Sequence, residues 1–293
     1  MTGLSPVNIA TMLSRQTIDK REAQMILAHV LGVSRALLIA HPERILVAAE
    51  AQRAQDLLAR RASGEPVAYL LGTREFYGRD FVVSPATLIP RPETELIVEQ
   101  ALARLSENFK SGSRASTSVC QIVADNRAGV LDLGTGSGAI AISLALEHAL
   151  ISVVATDISA DALRIANENA RRLNAKVEFI ESNWYTNLIG RQFDLIVANP
   201  PYVAGKDEHL SQADLRFEPQ IALTDESDDG LRSIRTIVDG AHQHLFPGGW
   251  LLFEHGYDQA DVCRALLLKA GFANLISVND LAGIARVAGG QIG

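Results

Sequence analysis

The stretch Val130-Leu131-Asp132-Leu133-Gly134-Thr135-Gly136-Ser137-Gly138-Ala139 decides how this chain folds. Residues suited to a buried strand run straight into three glycines separated by single residues, and a helix follows. Glycine tolerates both a sharp reversal of the backbone and the close approach of a ligand to it. Strand, glycine-rich turn and helix in that order make a nucleotide-cofactor loop, with Gly134, Thr135, Gly136, Ser137 and Gly138 as candidate contacts. A second apolar segment, 153–156, leads into Asp157. A carboxylate at that strand end can accept hydrogen bonds from both hydroxyls of a ribose.

Outward from this pair, short apolar runs at 177–180, 195–198, 250–254 and 275–278 alternate with helical stretches, and 284–288 can supply a final strand. Such alternation predicts a mainly parallel seven-stranded sheet wrapped by helices, an α/β Rossmann-like domain over residues 129–293. Upstream, apolar residues recur at helical spacing from Val7 to Arg61, as in Ala23, Ile26, Leu27, Val30 and Leu31, with Gly32 as a C-cap. Residues 1–72 therefore read as a small helical domain. Residues 75–83, aromatic and β-branched around Gly78-Arg79-Asp80, predict a hairpin bridging the two domains. After Pro90-Arg91-Pro92 a helix is expected over 93–105, because proline suits a first turn and glutamates suit a helix N-terminus. The polar, serine-rich stretch 106–128 reads as a loop or insert, so that hairpin, linker helix and insert occupy 73–128.

Composition narrows the functional classes. With 293 residues, 47% of them hydrophobic, the chain can bury a proper core. Its net charge of -7 argues against a protein that grips nucleic acid through phosphates. Two cysteines, Cys120 and Cys263, form no CxxC pair, so neither a disulfide scaffold nor a thiolate zinc site is suggested. His242, His244, Glu254 and His255 spell out no open-site ligand set, and no metal is expected. No signal-peptide pattern or membrane-length apolar run occurs. The expectation is a cytoplasmic monomer that engages neither membrane nor nucleic acid directly. The final Gly289-Gly290-Gln291-Ile292-Gly293 reads as a glycine-rich terminus that frays.

The glycine loop and Asp157 alone do not choose between a dinucleotide and S-adenosylmethionine. Asp132 tips the balance. A carboxylate just before the glycines would repel a pyrophosphate, yet it suits the cationic amino end of a methionine moiety. That favours S-adenosyl-L-methionine, with S-adenosyl-L-homocysteine as product. Trp184, just past the third strand, is placed to stack on adenine, with a core tryptophan as the equally weighted alternative.

The acceptor signature is Asn199-Pro200-Pro201-Tyr202, which follows the fourth strand at the carboxyl edge where open α/β sheets bind ligands. Two prolines stiffen the loop and remove backbone donors. The Asn199 side-chain oxygen and the Pro200 carbonyl can then each accept one N–H of a planar NH2, while the Tyr202 ring packs on that group. A conjugated nitrogen is a poor nucleophile. Two acceptors orient its lone pair toward the methyl donor and stabilise the positive charge that develops on it. The residues alone leave an amide and an adenine amine open as acceptors.

Together these motifs resemble the PrmC/HemK family of glutamine-N5 methyltransferases of peptide chain release factors. The likeness extends to Gly64-Glu65-Pro66-Val67-Ala68-Tyr69, Arg74-Glu75-Phe76-Tyr77-Gly78 and Leu88-Ile89-Pro90-Arg91-Pro92-Glu93-Thr94-Glu95, which generic methyltransferases lack. Phe217-Glu218-Pro219, Asp229-Gly230-Leu231, Phe253-Glu254-His255-Gly256 and 280–287 resemble further family blocks. The resemblance implies a class I S-adenosylmethionine-dependent methyltransferase fold acting on the glutamine of a Gly-Gly-Gln loop in class-1 release factors, with the helical domain helping to dock that partner. It carries cofactor contacts to 134–138, Asp157, Trp184 and Asn199, and substrate contacts to Asn199, Pro200, Pro201 and Tyr202. A ribosomal-protein glutamine methyltransferase is the nearest alternative and a DNA adenine-N6 methyltransferase a more distant one. Glu218, Glu254 and His255 receive no catalytic role.

Overall fold

A computed structural model describes residues 7–111, 127–211 and 213–293. The chain forms two compact units. One comprises the described residues of Met1–Thr73 and Gln212–Phe217, the other those of Arg74–Ser211 and Glu218–Gly293.

The first unit is built on helices α1 (Ile9–Ser14), α2 (Lys20–Leu31), α3 (Arg35–Ala40), α4 (Ala48–Ala62) and α5 (Val67–Leu71). Asp19 caps α2 by accepting from the Arg21 and Glu22 amides, and Gly32 ends it at φ 63°, a left-handed conformation that glycine adopts without penalty. Ile9, Met12, Ile26, Leu27, Leu38 and Leu58 form the dry interior. Arg61 ties α4 to α2 through Glu22 at 2.8 Å, and it also reaches Asp214 at 2.8 Å. The segment around Asp214, distant in sequence, thus belongs to the helical unit.

In the second unit, strands β1 (Thr73–Phe76) and β2 (Arg79–Val82) make the predicted hairpin. Its turn is Tyr77-Gly78, both at positive φ (50° and 72°), one residue before the expected Gly-Arg-Asp. Paired positive-φ residues give the turn the hand that matches strand twist. The rest is the sheet: β3 (Ala128–Leu133), β4 (Ile151–Asp157), β5 (Val177–Glu181), β6 (Phe193–Ala198), β7 (Leu245–Glu254), β8 (Ala273–Asn279) and β9 (Ala285–Gln291). Its spatial order is β5-β4-β3-β6-β7-β9-β8, with β9 antiparallel to both neighbours and the first five strands parallel. Helices α6 (Glu95–Ser111), α7 (Ala139–Glu147), α8 (Ala160–Leu173), α9 (Gln220–Leu223), α10 (Arg232–His244) and α11 (Ala260–Lys269) complete it. This is the seven-stranded, mainly parallel arrangement read from the apolar alternation.

Hydrophobic burial on the two sheet faces fixes what the segments before the glycine loop do. Phe76 and Phe81 of the hairpin and Ile97, Val98, Ala101 and Leu105 of α6 share one core with Val130, Leu195 and Leu252. Hairpin and linker helix are therefore part of the sheet's own packing. Asn169, fully buried on α8, stitches the hairpin to the glycine loop: its Oδ1 accepts from the Val82 amide at 2.7 Å, while its Nδ2 donates to the Val82 and Ser137 carbonyls at 3.0 and 2.9 Å.

Two expectations need correction. The polar stretch was expected to leave the helix at 105, but α6 runs on to Ser111: residues 106–111 contain neither glycine nor proline, and the Ser106 hydroxyl is accommodated by bonding back to the Leu102 carbonyl (2.8 Å). The remainder of that stretch, up to residue 126, lies outside the described residues. The glycine-rich C-terminus does not fray. It is β9, paired on both sides, and its glycines are there because neighbours leave no room: a Cβ at Gly289 would lie 2.5 Å from Leu252 Cδ2 and 2.7 Å from the Leu251 carbonyl. Gln291 is held on both side-chain polar atoms, donating to the Gly248 carbonyl (2.9 Å) and accepting from Asn274 (2.8 Å). Gly289→Ala is expected to destabilise the sheet by about 1–3 kcal/mol through overpacking, read as a lower urea midpoint at unchanged slope.

Candidate active site

Register brings the site together. Leu133 pairs with Thr156 and Ala198, and Ala198 with Phe253, so the parallel strands β3, β4, β6 and β7 end level. The next residues, Gly134, Asp157, Asn199 and Glu254, consequently gather at one carboxyl edge. The sheet order also reverses between β3 and β6, which opens a crevice at that edge. A cavity of about 400 Å³ occupies it, large enough for a nucleoside cofactor.

The glycine loop forms one wall. Gly134, Gly136 and Gly138 take φ of 71°, 57° and 83°. Gly138 caps α7 where a Cβ would sit 2.8 Å from Ile142 Cδ1, whereas a Cβ at Gly136 would meet nothing within 4 Å. One glycine serves close helix packing, the other leaves the cavity open. Asp157 holds this loop to the next strand, its Oδ2 accepting from the Gly136 amide (2.8 Å) and its Oδ1 from Ser159 (2.9 Å). Burial raises its carboxyl above the ordinary value, and the backbone N–H groups act against that. The Trp184 ring approaches Gly134, 3.6 Å from where a Cβ would be, and lines the cavity.

Asp132 lies deeper than the sequence suggests. It is fully buried beneath the loop, its Oδ2 accepting from the Thr135 hydroxyl (2.7 Å) and the Ala141 amide (3.2 Å), while Oδ1 has no partner. Desolvation pushes its carboxyl up to about 7 despite those two donors.

At the acceptor end, Asn199 and Pro201 line the cavity, whereas Pro200 is buried behind them. Asn199 Nδ2 donates to Thr94 Oγ1 (3.0 Å), the Thr94 hydroxyl donates to Glu254 Oε2 (2.7 Å), and the Tyr202 hydroxyl donates to Glu254 Oε1 (2.9 Å). Burial raises the Glu254 carboxyl, with the two hydroxyls opposing. The Tyr202 carbonyl accepts from Gln259 (3.0 Å), and Gly230 backs so closely on it that a Cβ there would sit 2.2 Å from the carbonyl oxygen. Across the cavity, buried Glu218 accepts from the Ile89 amide (2.9 Å) and from Arg91, pinning the segment whose Thr87, Leu88 and Pro90 form the facing wall.

Comparison with known proteins points the same way. A methyltransferase small domain model matches residues 110–218, and a PrmC N-terminal domain model matches residues 9–72. The release factor glutamine methyltransferase of Burkholderia pseudomallei is 48% identical over 98% of this chain and 97% of its own. That of Escherichia coli is 41% identical over 96% and 95%. The chain belongs to the release factor glutamine methyltransferase family. Among solved structures, a methyltransferase from Pyrococcus furiosus matches at TM-score 0.52 and 19% identity over 82% of this chain and 99% of its own, a likeness of fold alone.

Within the family frame, the cavity gathers Gly134, Thr135, Gly136, Ser137, Asp157, Trp184, Asn199 and Pro201 of the expected set, while Asp132, Gly138, Pro200 and Tyr202 stand behind its surface. The Tyr202 ring packs on the core side with its hydroxyl on Glu254, and it does not line the cavity as the sequence led one to expect. Thr94, Asn169, Glu218 and Glu254 were missed as organisers, since each acts on a partner more than 85 residues away in sequence. The histidines are structural: His244 stacks on Tyr185 with centroids 4.6 Å apart and bonds the Arg191 carbonyl, and His255 is buried against Gly256. Among the described residues no group of His, Cys, Asp or Glu is arranged to hold a metal ion, and no helix is long and apolar enough to cross a membrane.

Asp132 gives a pH-dependent prediction. Its carboxyl titrates at about 7 when folded and near its ordinary 3.8 when unfolded, so between these values the folded chain holds the extra proton. Stability of the ligand-free protein is therefore expected to fall as pH rises from about 4 to about 7, and Asp132→Asn should flatten that slope in thermal melts.

Proposed function

We propose that this chain transfers a methyl group from S-adenosylmethionine to the side-chain amide nitrogen of the Gly-Gly-Gln glutamine in a class-1 release factor. The single observation that carries this reading is Asn199 at the cavity, its NH2 committed to Thr94 and its carbonyl oxygen left for an N–H donor. Family membership supplies the substrate class.

The residues fit the methyl donor. Gly136 leaves the loop open, Asp157 retains acceptor capacity for ribose hydroxyls beyond its backbone bonds, and Trp184 offers an aromatic face. Asp132, fully buried behind Thr135 and outside the cavity lining, would favour the positive end of a methionine moiety through its charge and not by direct contact. When bound, S-adenosylmethionine supplies an electrophilic methyl on a cationic sulfur. The chain's own work is orientation. Asn199 Oδ1 at the cavity would accept one amide hydrogen and the backbone carbonyl of Pro200, whose ring is buried behind the lining, would accept the other. This holds the NH2 with the face of its nitrogen toward the methyl group, and the nitrogen sheds a proton to solvent once the methyl has moved. Neither acceptor needs to ionise, so no strong base is required before transfer. As the nitrogen turns cationic its N–H bonds to these oxygens strengthen, and the stabilisation falls on the transition state.

Residues 1–72 serve, on this reading, to dock the release factor, and the protein works as a cytoplasmic monomer without a metal or bound nucleic acid. Purified protein with labelled S-adenosylmethionine should label release factor at that glutamine, and label appearing in ribosomal protein or DNA instead would refute the assignment. Asn199→Ala is expected to lower kcat/KM about 100- to 1000-fold. Its affinity for S-adenosylhomocysteine in calorimetry should stay within about 5-fold of wild type.

A further inference from the structure

The buried chain Glu254, Thr94, Asn199 has a direction. In its ionised form, which the two hydroxyl donors favour against the effect of burial, Glu254 can only accept, and both its oxygens are taken by hydroxyls: Oε2 by Thr94 at 2.7 Å and Oε1 by Tyr202 at 2.9 Å. The Thr94 hydroxyl has a single proton, and Glu254 holds it. Toward Asn199 the Thr94 oxygen can then only accept. Asn199 must present Nδ2 to it, as it does at 3.0 Å, and its carbonyl Oδ1 is left for the cavity. The two hydroxyls grip opposite ends of the carboxylate and stop it turning. Thr94 is 4% and Glu254 2% exposed, so although Thr94 borders the cavity, the buried carboxylate is the acceptor fixed beside its hydroxyl.

An amide is nearly symmetric in shape, and packing alone distinguishes its O from its NH2 poorly. With the amide reversed, the cavity would present two donors to an acceptor group that is itself a donor. We infer that Thr94 and Glu254 are positioning residues for the methyl transfer, fixing the polarity of the Asn199 amide so that its carbonyl meets the acceptor NH2. This rests on the amide-methylation reading above.

Thr94→Val keeps the shape of the side chain and deletes the relay. Its kcat on release factor is expected to fall about 10- to 100-fold, the scale of a small misplacement at a reacting centre. The loss should fall on kcat, with S-adenosylhomocysteine affinity within about 3-fold and a single cooperative melting transition retained at a lower midpoint. Thr94→Ser, which restores the hydroxyl, should recover kcat to within about 3-fold of wild type. Glu254→Gln replaces an acceptor-only group by one that can turn its NH2 to Thr94 and reverse the relay, so its kcat should also fall below wild type. A Thr94→Val enzyme within about 3-fold of wild type overturns the inference, as does a serine variant no better than valine. So does an S-adenosylhomocysteine affinity that drops in step with kcat, or a Glu254→Gln variant with the kcat of wild type. Wild type inactive on release factor would instead overturn the substrate reading, and the two failures are separate.

Discussion

Everything at the site depends on four parallel strands ending level. Because Leu133, Thr156, Ala198 and Phe253 are register partners across β4, β3, β6 and β7, the residue that follows each strand emerges at the same height. A side chain one position earlier would face into a sheet layer, and a register slip of one residue would send each functional group to the opposite face. The cores on the two sheet faces enforce that register, since the strand residues are almost all buried. Packing energy from apolar residues thus sets the positions of polar ones that contribute little to stability themselves.

The polar groups at this edge follow one pattern. Asp132, Asp157, Glu218 and Glu254 are carboxylates taken out of water, and each is given backbone N–H or side-chain donors in compensation. A buried acid left without donors would be costly, and a partly satisfied one shifts its proton uptake, as Asp132 does. Each acid organises a segment: Asp132 the glycine loop, Asp157 the junction of β4 with that loop, Glu218 the wall around Ile89, Glu254 the acceptor end. Acceptor-only groups are suited to this because they impose direction on the donors around them, which a hydroxyl or amide in the same place would not.

The glycine loop and the Asn199 tetrapeptide were legible in the sequence because their chemistry is contiguous: strand, turn and functional residue occur within ten positions. Asp157 and Trp184 were legible by their place after a strand. Thr94, Asn169, Glu218 and Glu254 were not, because each acquires meaning only from a partner brought near by the sheet. Glu254 looked unremarkable next to His255, and its role depends on Thr94, which sits 160 residues earlier. The C-terminal glycines were misread for a related reason. Glycine signals either freedom or the absence of space, and β9 is the second case, visible only once Leu252, Leu275 and Phe272 are in place around it.

The same tetrapeptide can serve an adenine amine or an amide, so selectivity between them must lie outside it. An amide acceptor on a flexible side chain brings little surface of its own, and the two carbonyls can hold it only if they are already aimed. A base arrives as a rigid ring whose stacking orients the NH2 before the carbonyls meet it. Pre-orientation of Asn199 is therefore worth more to an enzyme of amides. A relay buried at Thr94 and Glu254, with Tyr202 spent on the carboxylate and turned away from the cavity wall, gives rigidity to the protein side of the encounter where the substrate side has none. That allocation fits a small, mobile side chain as the acceptor, and it explains why the aromatic ring of the tetrapeptide stands behind the cavity instead of lining it.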